Sequence, residues 1–379
     1  MSPALTRRLL SLHRWCGLIV SLNVALFAVT GALLIFHEEI DAALGAVPAT
    51  SHGTSISLAR AVEVARASRP DHQALYVFTD PEEFPGAILV GMAKGSSKLQ
   101  DSKPVTIDAP KGEVLEKVDF DDSFSGVVFR LHAQLLMGPA GSLLVGAIGL
   151  ALLISLVSGA VLYGPMMKRF AFGMLRRDRH VRTLFADVHK LVGAATFGWN
   201  LVVVGTGVFL SLGSTLLQYY TMTELAALSA PYRGQAAVAD FATLDDAVAS
   251  AERASGGRRW SLVALPGSDF ASPRHYAVLL HGHEGLDQRM LTMGLVDAKD
   301  PTQVDHRTFP WYLRALLVSE PLHFGDYGGM PLKLLWLAFT LATLVLTASG
   351  VWVTVATRHE RALRRRSEPV DTSAAEAAE

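Results

Sequence analysis

The stretch SLHRWCGLIV (Ser11–Val20) and the stretch DVHKLVGAAT (Asp187–Thr196) say nearly the same thing 176 residues apart. Each sets a histidine (His13, His189) beside a basic residue (Arg14, Lys190), then a glycine four positions on (Gly17, Gly193), then a long apolar run. Thr-Gly follows at 17 and 18 residues beyond each histidine, as Thr30-Gly31 and Thr206-Gly207. A second pair of Leu-His sites behaves likewise. His132 and His323 are each followed by a glycine six residues on (Gly138, Gly329) and a nearby proline (Pro139, Pro331). Ser-Gly then follows at 26 and 27, as Ser158-Gly159 and Ser349-Gly350. The spacing predicts one unit written twice, and repeats of this kind reveal architecture.

Composition says where such a unit lives. Half of the 379 residues are hydrophobic and 18% are charged, against about 25% in an ordinary soluble domain. Four uncharged stretches are long enough to cross a bilayer, which needs about 20 apolar residues. They are 15–36, 141–163, 191–212 and 334–356. The first is too long for the apolar core of a signal peptide and lacks a small-residue cleavage site after it, so it reads as a retained anchor. Net charge is −1, which gives no general attraction to nucleic acid. The single cysteine, Cys16, excludes an intramolecular disulfide and a cysteine-rich metal site.

Basic residues orient the spans. Arg7, Arg8 and Arg14 precede the first. Lys168, Arg169, Arg176, Arg177, Arg179 and Arg182 fill the short loop between the second and third. Arg358, Arg361, Arg364, Arg365 and Arg366 follow the fourth. The positive-inside rule then puts both termini and that loop in the cytoplasm. The expected order is a cytoplasmic N-terminus and first span (1–36), a periplasmic module (37–140), the second span (141–163), a basic cytoplasmic loop (164–190), the third span (191–212), a second periplasmic module (213–333), the fourth span (334–356) and a cytoplasmic tail (357–379). A bacterial inner membrane is the simplest setting. SLARAVEVARASRP from Ser57 and TLDDAVASAERASG from Thr243 read as amphipathic helices. Each precedes strand-like runs (ALYVFTD and GAILVGMA; RWSLVALP, HYAVLLHG and QRMLTMGLVDA), so each module reads as α+β with an antiparallel sheet. The fold class is an α-helical membrane protein, a four-span bundle of two parallel repeats carrying two periplasmic α+β modules.

In a bundle whose helices follow in order around a square, spans one and three are diagonal, as are two and four. His13 then faces His189 at the cytoplasmic edge, and His132 faces His323 at the periplasmic edge. Bundles build cofactor sites from facing helices, and two neutral imidazoles fill both axial positions of a haem. The span glycines would let a flat macrocycle approach, although small residues also serve helix packing. Competing readings stand beside this one: interfacial polar histidines, or a divalent metal, which wants three or four donors. Arg14 and Lys190 suit haem propionates, and equally the positive-inside rule. His37, at the end of the first span, has Gly213 as its counterpart and is a weaker candidate for the haem or substrate route. HGHEG, with His281, His283 and Glu284, reads as a hairpin turn before a metal loop. A permease is disfavoured by the absence of charge in the spans.

LHRWCGL, LHAQLLMG, VHKLVG and LHFGDYGG, one before each span, resemble the PepSY-associated transmembrane family of iron-regulated inner-membrane proteins, and within it the ferrisiderophore (ferrioxamine) reductases. The resemblance covers most of the chain and implies two haem b groups, with His13, His189, His132 and His323 as axial ligands to the haem irons. It also implies an electron path to a ferric siderophore, with the hydroxamate type among the candidates, in the periplasm. No GxGxxG lies between a strand and a helix in a cytoplasmic segment, so a quinol or a separate flavoprotein is the expected donor. The alternative is a haem-free PepSY membrane partner of a siderophore transporter or a periplasmic protein.

Overall fold

The computed structural model describes residues 1–79, 84–115, 123–167, 173–177, 180–283 and 285–367. Lys168, Arg169, Arg179 and Glu284 lie outside them, as do the side chains of Arg361, Arg364, Arg365 and Arg366. The elements in chain order are α1 (Pro3–Leu34), α2 (His37–Ala43), α3 (Leu58–Ser68), β1 (Gln73–Phe78), β2 (Ala87–Ala93), β3 (Lys103–Asp108), β4 (Glu113–Val114), α4 (Phe124–Gln134), α5 (Gly138–Met167), α6 (Val181–Leu210), α7 (Gly213–Tyr220), α8 (Ala226–Ser229), α9 (Leu244–Ala254), β5 (Arg259–Ala264), β6 (His275–His281), α10 (Gly285–Arg289), β7 (Thr292–Asp297), β8 (Val304–Thr308), α11 (Trp311–Phe324) and α12 (Gly329–Ser367).

Four of these helices, α1, α5, α6 and α12, are long and apolar enough to cross a membrane. At 1.5 Å rise per residue, the 32 residues of α1 run about 48 Å, well beyond the roughly 30 Å of a hydrocarbon core. Large apolar side chains point outward from all four, Ile19 and Leu22 at 70% and 81% exposure among them. A helix apolar on its outer face needs a non-aqueous neighbour. Helix α1 packs on α5 and α12, and α6 packs on α5 and α12. The order around the bundle is therefore α1, α5, α6, α12, with α1 diagonal to α6 and α5 diagonal to α12.

Two short helices complete the bundle at the end where α1 leads out to the sheet. Helix α4 packs on α1 and α5, and α11 packs on α6. The corner from α4 to α5 is tight. Leu135 and Leu136 are both left-handed, at φ 49° and 58°, a conformation costing about 1–2 kcal/mol per non-glycine residue. A Cβ on Gly141 would lie 1.7 Å from the Gln134 carbonyl oxygen, so only glycine allows this approach. At the same end Lys333 of α12 is buried and paired with Glu38 and Glu39 of α2, at 2.8 and 2.9 Å.

All eight strands form one antiparallel sheet in the order β4-β3-β2-β1-β5-β6-β7-β8. The order reads outward from a central seam, where β1 pairs with β5 through Tyr76–Ala264, Val77–Val263 and Phe78–Leu262. Strand residues alternate between two cores, as a period of two dictates, with one slip in β1 at the bulge between Ala74 and Tyr76. On one side Ala74, Val77, Val263 and Val278 meet α3 and α9. These helices bury Leu58, Ala61, Val62 and Ala65, and Leu244, Ala247, Val248 and Ala251, the same i, i+3, i+4, i+7 stripe twice. On the other side Leu75, Tyr76 and Ala264 meet Tyr220, Leu225 and Leu313, which seats the sheet on α7 and α11. The Asp245 carboxylate of α9 accepts from the backbone N–H groups of Leu58 and Ala59, at 2.8 and 3.1 Å, and so caps α3 across the seam.

The expected hairpin around HGHEG is not a simple turn. The short helix α10 separates β6 from β7, and the strand begins at Thr292, not within the preceding Gln288–Met290.

Val77 and Val263 are fully buried and face each other across the seam. Truncating either to alanine should cost about 2 kcal/mol. The Val77→Ala/Val263→Ala double variant should fall short of additivity, because the two share one contact. Thermal unfolding of the four proteins in detergent checks this.

Candidate functional site

His13 lies on α1 and His189 on the diagonal helix α6, and their ring centres are 6.1 Å apart. His132 and His323 form a second pair, also 6.1 Å apart. Their planes cross at 63° and 65°. The sequence suggested the last two at the mouths of spans two and four. The structure instead carries them on the separate short helices α4 and α11, which dip beside α1 and α6.

Each ring sits in a notch made by one of the repeated glycines. A Cβ added to Gly159 of α5 would lie 2.9 Å from His13 Cε1. Gly350 of α12 holds His189 in the same way at 2.9 Å, Gly207 of α6 holds His323 at 2.9 Å, and Gly31 of α1 holds His132 at 3.3 Å. Imidazole edges occupy the space at these four glycines. The spacing along α1 explains the placement. His13 and Gly31 are 18 residues apart, which is five whole turns and about 27 Å of rise. Both therefore face the same side, one at each end. His189 and Gly207 repeat this on α6.

The notch also supplies a hydrogen bond. His13 Nδ1–H donates to the Ser155 carbonyl at 2.9 Å, His189 to Leu346 at 2.9 Å, and His323 to Val203 at 2.8 Å. Each acceptor is four residues before the glycine the ring touches. That carbonyl also takes the glycine's own N–H in the helix and the hydroxyl of the residue before the glycine (Ser158 at 3.0 Å, Ser349 at 2.9 Å, Thr206 at 3.0 Å), and the ring reaches it because the glycine has no side chain. His132 Nδ1 instead bonds Thr30 Oγ1 at 2.8 Å. Thr30 donates its hydroxyl to Leu26 at 2.8 Å, so it accepts from the ring. All four rings thus carry the proton on Nδ1, leaving Nε2 as a lone-pair donor. Among the described residues none hydrogen-bonds any of the four Nε2 atoms. Burial pushes the His132 imidazole down to about 3, with His323 beside it adding to the effect. Burial lowers His323 too. Both are neutral at pH 7, the form that ligates a metal.

The other singled-out residues fall at varied distances from this geometry. Lys190 Nζ lies 3.5 Å from Asp187, which is fully buried and grips Arg176 through two bonds of 2.9 and 2.8 Å. Asp187 thereby ties residues 173–177 to α6 close to His189, a contact with no signal in the repeat. Arg14 follows His13 on α1, and Arg358 stacks on Trp15 at 5.0 Å. His37 opens α2 and donates Nδ1–H to Leu34 at 2.9 Å. It makes no ring contact with either pair among the described residues. His281 bonds the Gly282 carbonyl at 2.7 Å at the end of β6, far along the chain from both pairs. The Nδ1 acceptors and the two Ser-Gly notches on α5 and α12 were not foreseen as ring seats. The repeated Ser158-Gly159 and Ser349-Gly350 pairs were the signal for those notches, as the 18-residue spacing was for Gly31 and Gly207.

Closer notches should tolerate less. Gly207→Ala should displace His323 and cost about 1–3 kcal/mol, in the range of overpacked cores. Gly31→Ala, with more room, should cost less. Thermal stability with 15N-histidine NMR of the ring signals reads both effects.

Comparison with known proteins agrees with this architecture. A family model described as the PepSY-associated TM region matches residues 10–356. An uncharacterized protein of Pseudomonas aeruginosa is similar, at 28% identity over 251 residues, which cover 60% of this chain and 62% of that relative. The chain, with its four apolar helices, belongs to the PepSY-associated TM family.

Proposed function

We propose that this protein carries electrons across a bacterial inner membrane, with one b-type haem between the imidazoles of each histidine pair, and reduces a ferric siderophore on the sheet side. The carrying observation is the pair of matched histidine sites. Two metal–imidazole bonds of about 2 Å, extended to the ring centres, span about 6 Å, and both pairs measure 6.1 Å. The donor set fits as well. Each site offers two imidazoles with Nδ1 hydrogen-bonded, which suits a metal whose remaining positions are filled by a macrocycle. A haem held this way supplies a reversible one-electron iron couple.

The chain's own groups do the rest. The Nδ1–H bonds to Ser155, Leu346, Val203 and Thr30 fix tautomer and ring plane, as second partners of ligating histidines do. The apolar helices exclude water between the sites. Arg7, Arg8, Arg177, Arg182 and Arg358 gather at the end away from the sheet, which favours that end as cytoplasmic. The sheet and α2 then face the periplasm, and the doubled strand order and doubled helix stripes support a duplicated unit with one PepSY-like module per copy. Oxygen-donor chelators hold Fe(II) far more weakly than Fe(III), so reduction releases the metal with the chelator intact. The donor on the cytoplasmic side is a quinol or a flavoprotein.

His13→Ala or His189→Ala should remove one haem and leave the other, and His132→Ala or His323→Ala should remove the opposite one, read as haem per chain. Anaerobically reduced protein mixed with ferrioxamine should reoxidise, with Fe(II) captured by a ferrous chelator. Retention of both haems in His189→Ala, or no reoxidation, contradicts the proposal. A folded chain without haem would favour a role as a membrane partner of another protein.

A further inference from the structure

The two histidine pairs are joined along one wall of the bundle, and that wall is neither aliphatic nor symmetric. Thr196 and Asn200 of α6 and Thr343 of α12 are fully buried. Thr343 Oγ1 donates to Asn200 Oδ1 at 3.1 Å, and Asn200 Nδ2 donates to the Thr196 carbonyl at 3.2 Å. Beside them Trp199 stacks on Phe339, with ring centres 5.4 Å apart and planes at 18°. Trp199 also meets Trp336 edge-on at 6.3 Å. Trp336 Nε1 in turn donates to the His323 carbonyl at 3.2 Å, so the series ends on the backbone of one of the four histidines.

Helical rise puts these groups in sequence. Measured from the level of His189 and Gly350, Thr196 and Thr343 lie about 10 Å along the axis, Trp199 and Phe339 about 15 Å, and Trp336 about 21 Å. Gly207, the seat of His323, lies at about 27 Å. The positions of the other half that match Trp199, Trp336 and Phe339 in the repeat are Asn23, Val145 and Ile148, and those matching Thr196, Asn200 and Thr343 are Val20, Val24 and Leu152. The stacked aromatic series and the Thr–Asn bonds therefore lie on the α6–α12 side, while the matching positions of α1 and α5 hold Asn23 and aliphatic residues, with Phe27 of α1 beside His132 at 5.6 Å.

Helix adhesion accounts for the Thr–Asn hydrogen bonds, which commonly join membrane helices. It does not account for Trp199. Its Nε1 is a buried donor with no partner among the described residues, a cost of about 1–3 kcal/mol that phenylalanine or leucine would avoid while still filling the space.

We infer that the α6–α12 wall is the electron's route between the two histidine pairs, with Trp199 at its midpoint. This rests on the haem reading above. With a haem at each pair, His13 and His189 would hold the iron that gives up one electron, and His132 and His323 the iron that takes it. No bond forms or breaks and no proton moves. The stacked rings act as a tunnelling medium and are not themselves oxidised, because overlapping π orbitals and hydrogen-bonded contacts couple donor to acceptor better than gaps between aliphatic side chains. Trp199 is a positioning residue here, since it touches neither imidazole pair.

The test uses the full-length, haem-loaded protein in nanodiscs. A ruthenium photosensitiser on Arg177→Cys, in a Cys16→Ser background, injects electrons at the end away from the sheet, and transient absorbance follows their transfer between sites. Trp199→Leu should slow that transfer by about tenfold, equivalent to about 1.4 kcal/mol of barrier, whereas Trp199→Phe should keep most of the rate. Haem content and both midpoint potentials should stay at wild-type values, which a merely structural role for Trp199 would disturb. Transfer at the wild-type rate in Trp199→Leu, or loss of a haem from it, overturns the route. Should Trp199→Leu fail to fold, Phe339→Leu removes the stacking partner and is read the same way. A wild-type protein without a Soret band overturns the haem reading and this route with it, and is recognised before any kinetics are run.

Discussion

The contact on which the structure turns is an imidazole edge pressed into a helix at a glycine, with its Nδ1–H on the carbonyl one turn earlier. Neither half works alone. A side chain on Gly159, Gly207 or Gly350 would come within 2.9 Å of the ring. Without that carbonyl, a buried N–H would go unpaired, at about 1–3 kcal/mol. The contact occurs with a backbone carbonyl at three rings and with Thr30 at the fourth. It sets the tautomer, the ring plane and the free nitrogen of each. It also couples neighbouring helices: α1 to α5, α6 to α12, α4 to α1 and α11 to α6. The four histidines are therefore both the functional candidates and part of what holds the bundle in register.

The sheet does for the extramembrane part what these notches do for the bundle. Strands β1 and β5 pair directly, so two four-stranded halves close into one eight-stranded body with a shared core. Asp245 caps α3 across the same seam. Its opposite face rests on α7 and α11, and α11 carries His323. Movement of the sheet against the bundle is thereby connected through a single helix to one histidine of the pair nearest it. Lys333, buried between Glu38 and Glu39, ties α2 to α12 at the same end.

Much of this could be read from residues alone, for a physical reason. A period of 18 residues is five helical turns, so a histidine and a glycine that far apart must share a face, and the doubled motif exposes both the diagonal pairing and its depth. The identical stripes at Leu58 and Leu244 made the two amphipathic helices equally legible. Four things were not. The helices α4 and α11 are short, so a reading by hydropathy leaves them in the modules at 37–140 and 213–333 and does not separate them as helices of the bundle. The seats of the rings are backbone carbonyls, which leave no mark in a sequence beyond the glycine that uncovers them. The asymmetric wall of Trp199, Trp336 and Phe339 was hidden by the repeat itself, since aligning the halves draws attention to what they share. The grip of Asp187 on Arg176 likewise depends on how a loop folds back.

The account stands on each histidine pair holding one haem. The most direct measurement is electron paramagnetic resonance with haem quantification on the purified, oxidised wild-type protein. The account predicts two low-spin ferric signals per chain, both of bis-imidazole type, which convert on dithionite reduction to low-spin b-type absorbance. A folded protein from haem-replete cells that carries no haem, or a single haem with a high-spin signal, would contradict it.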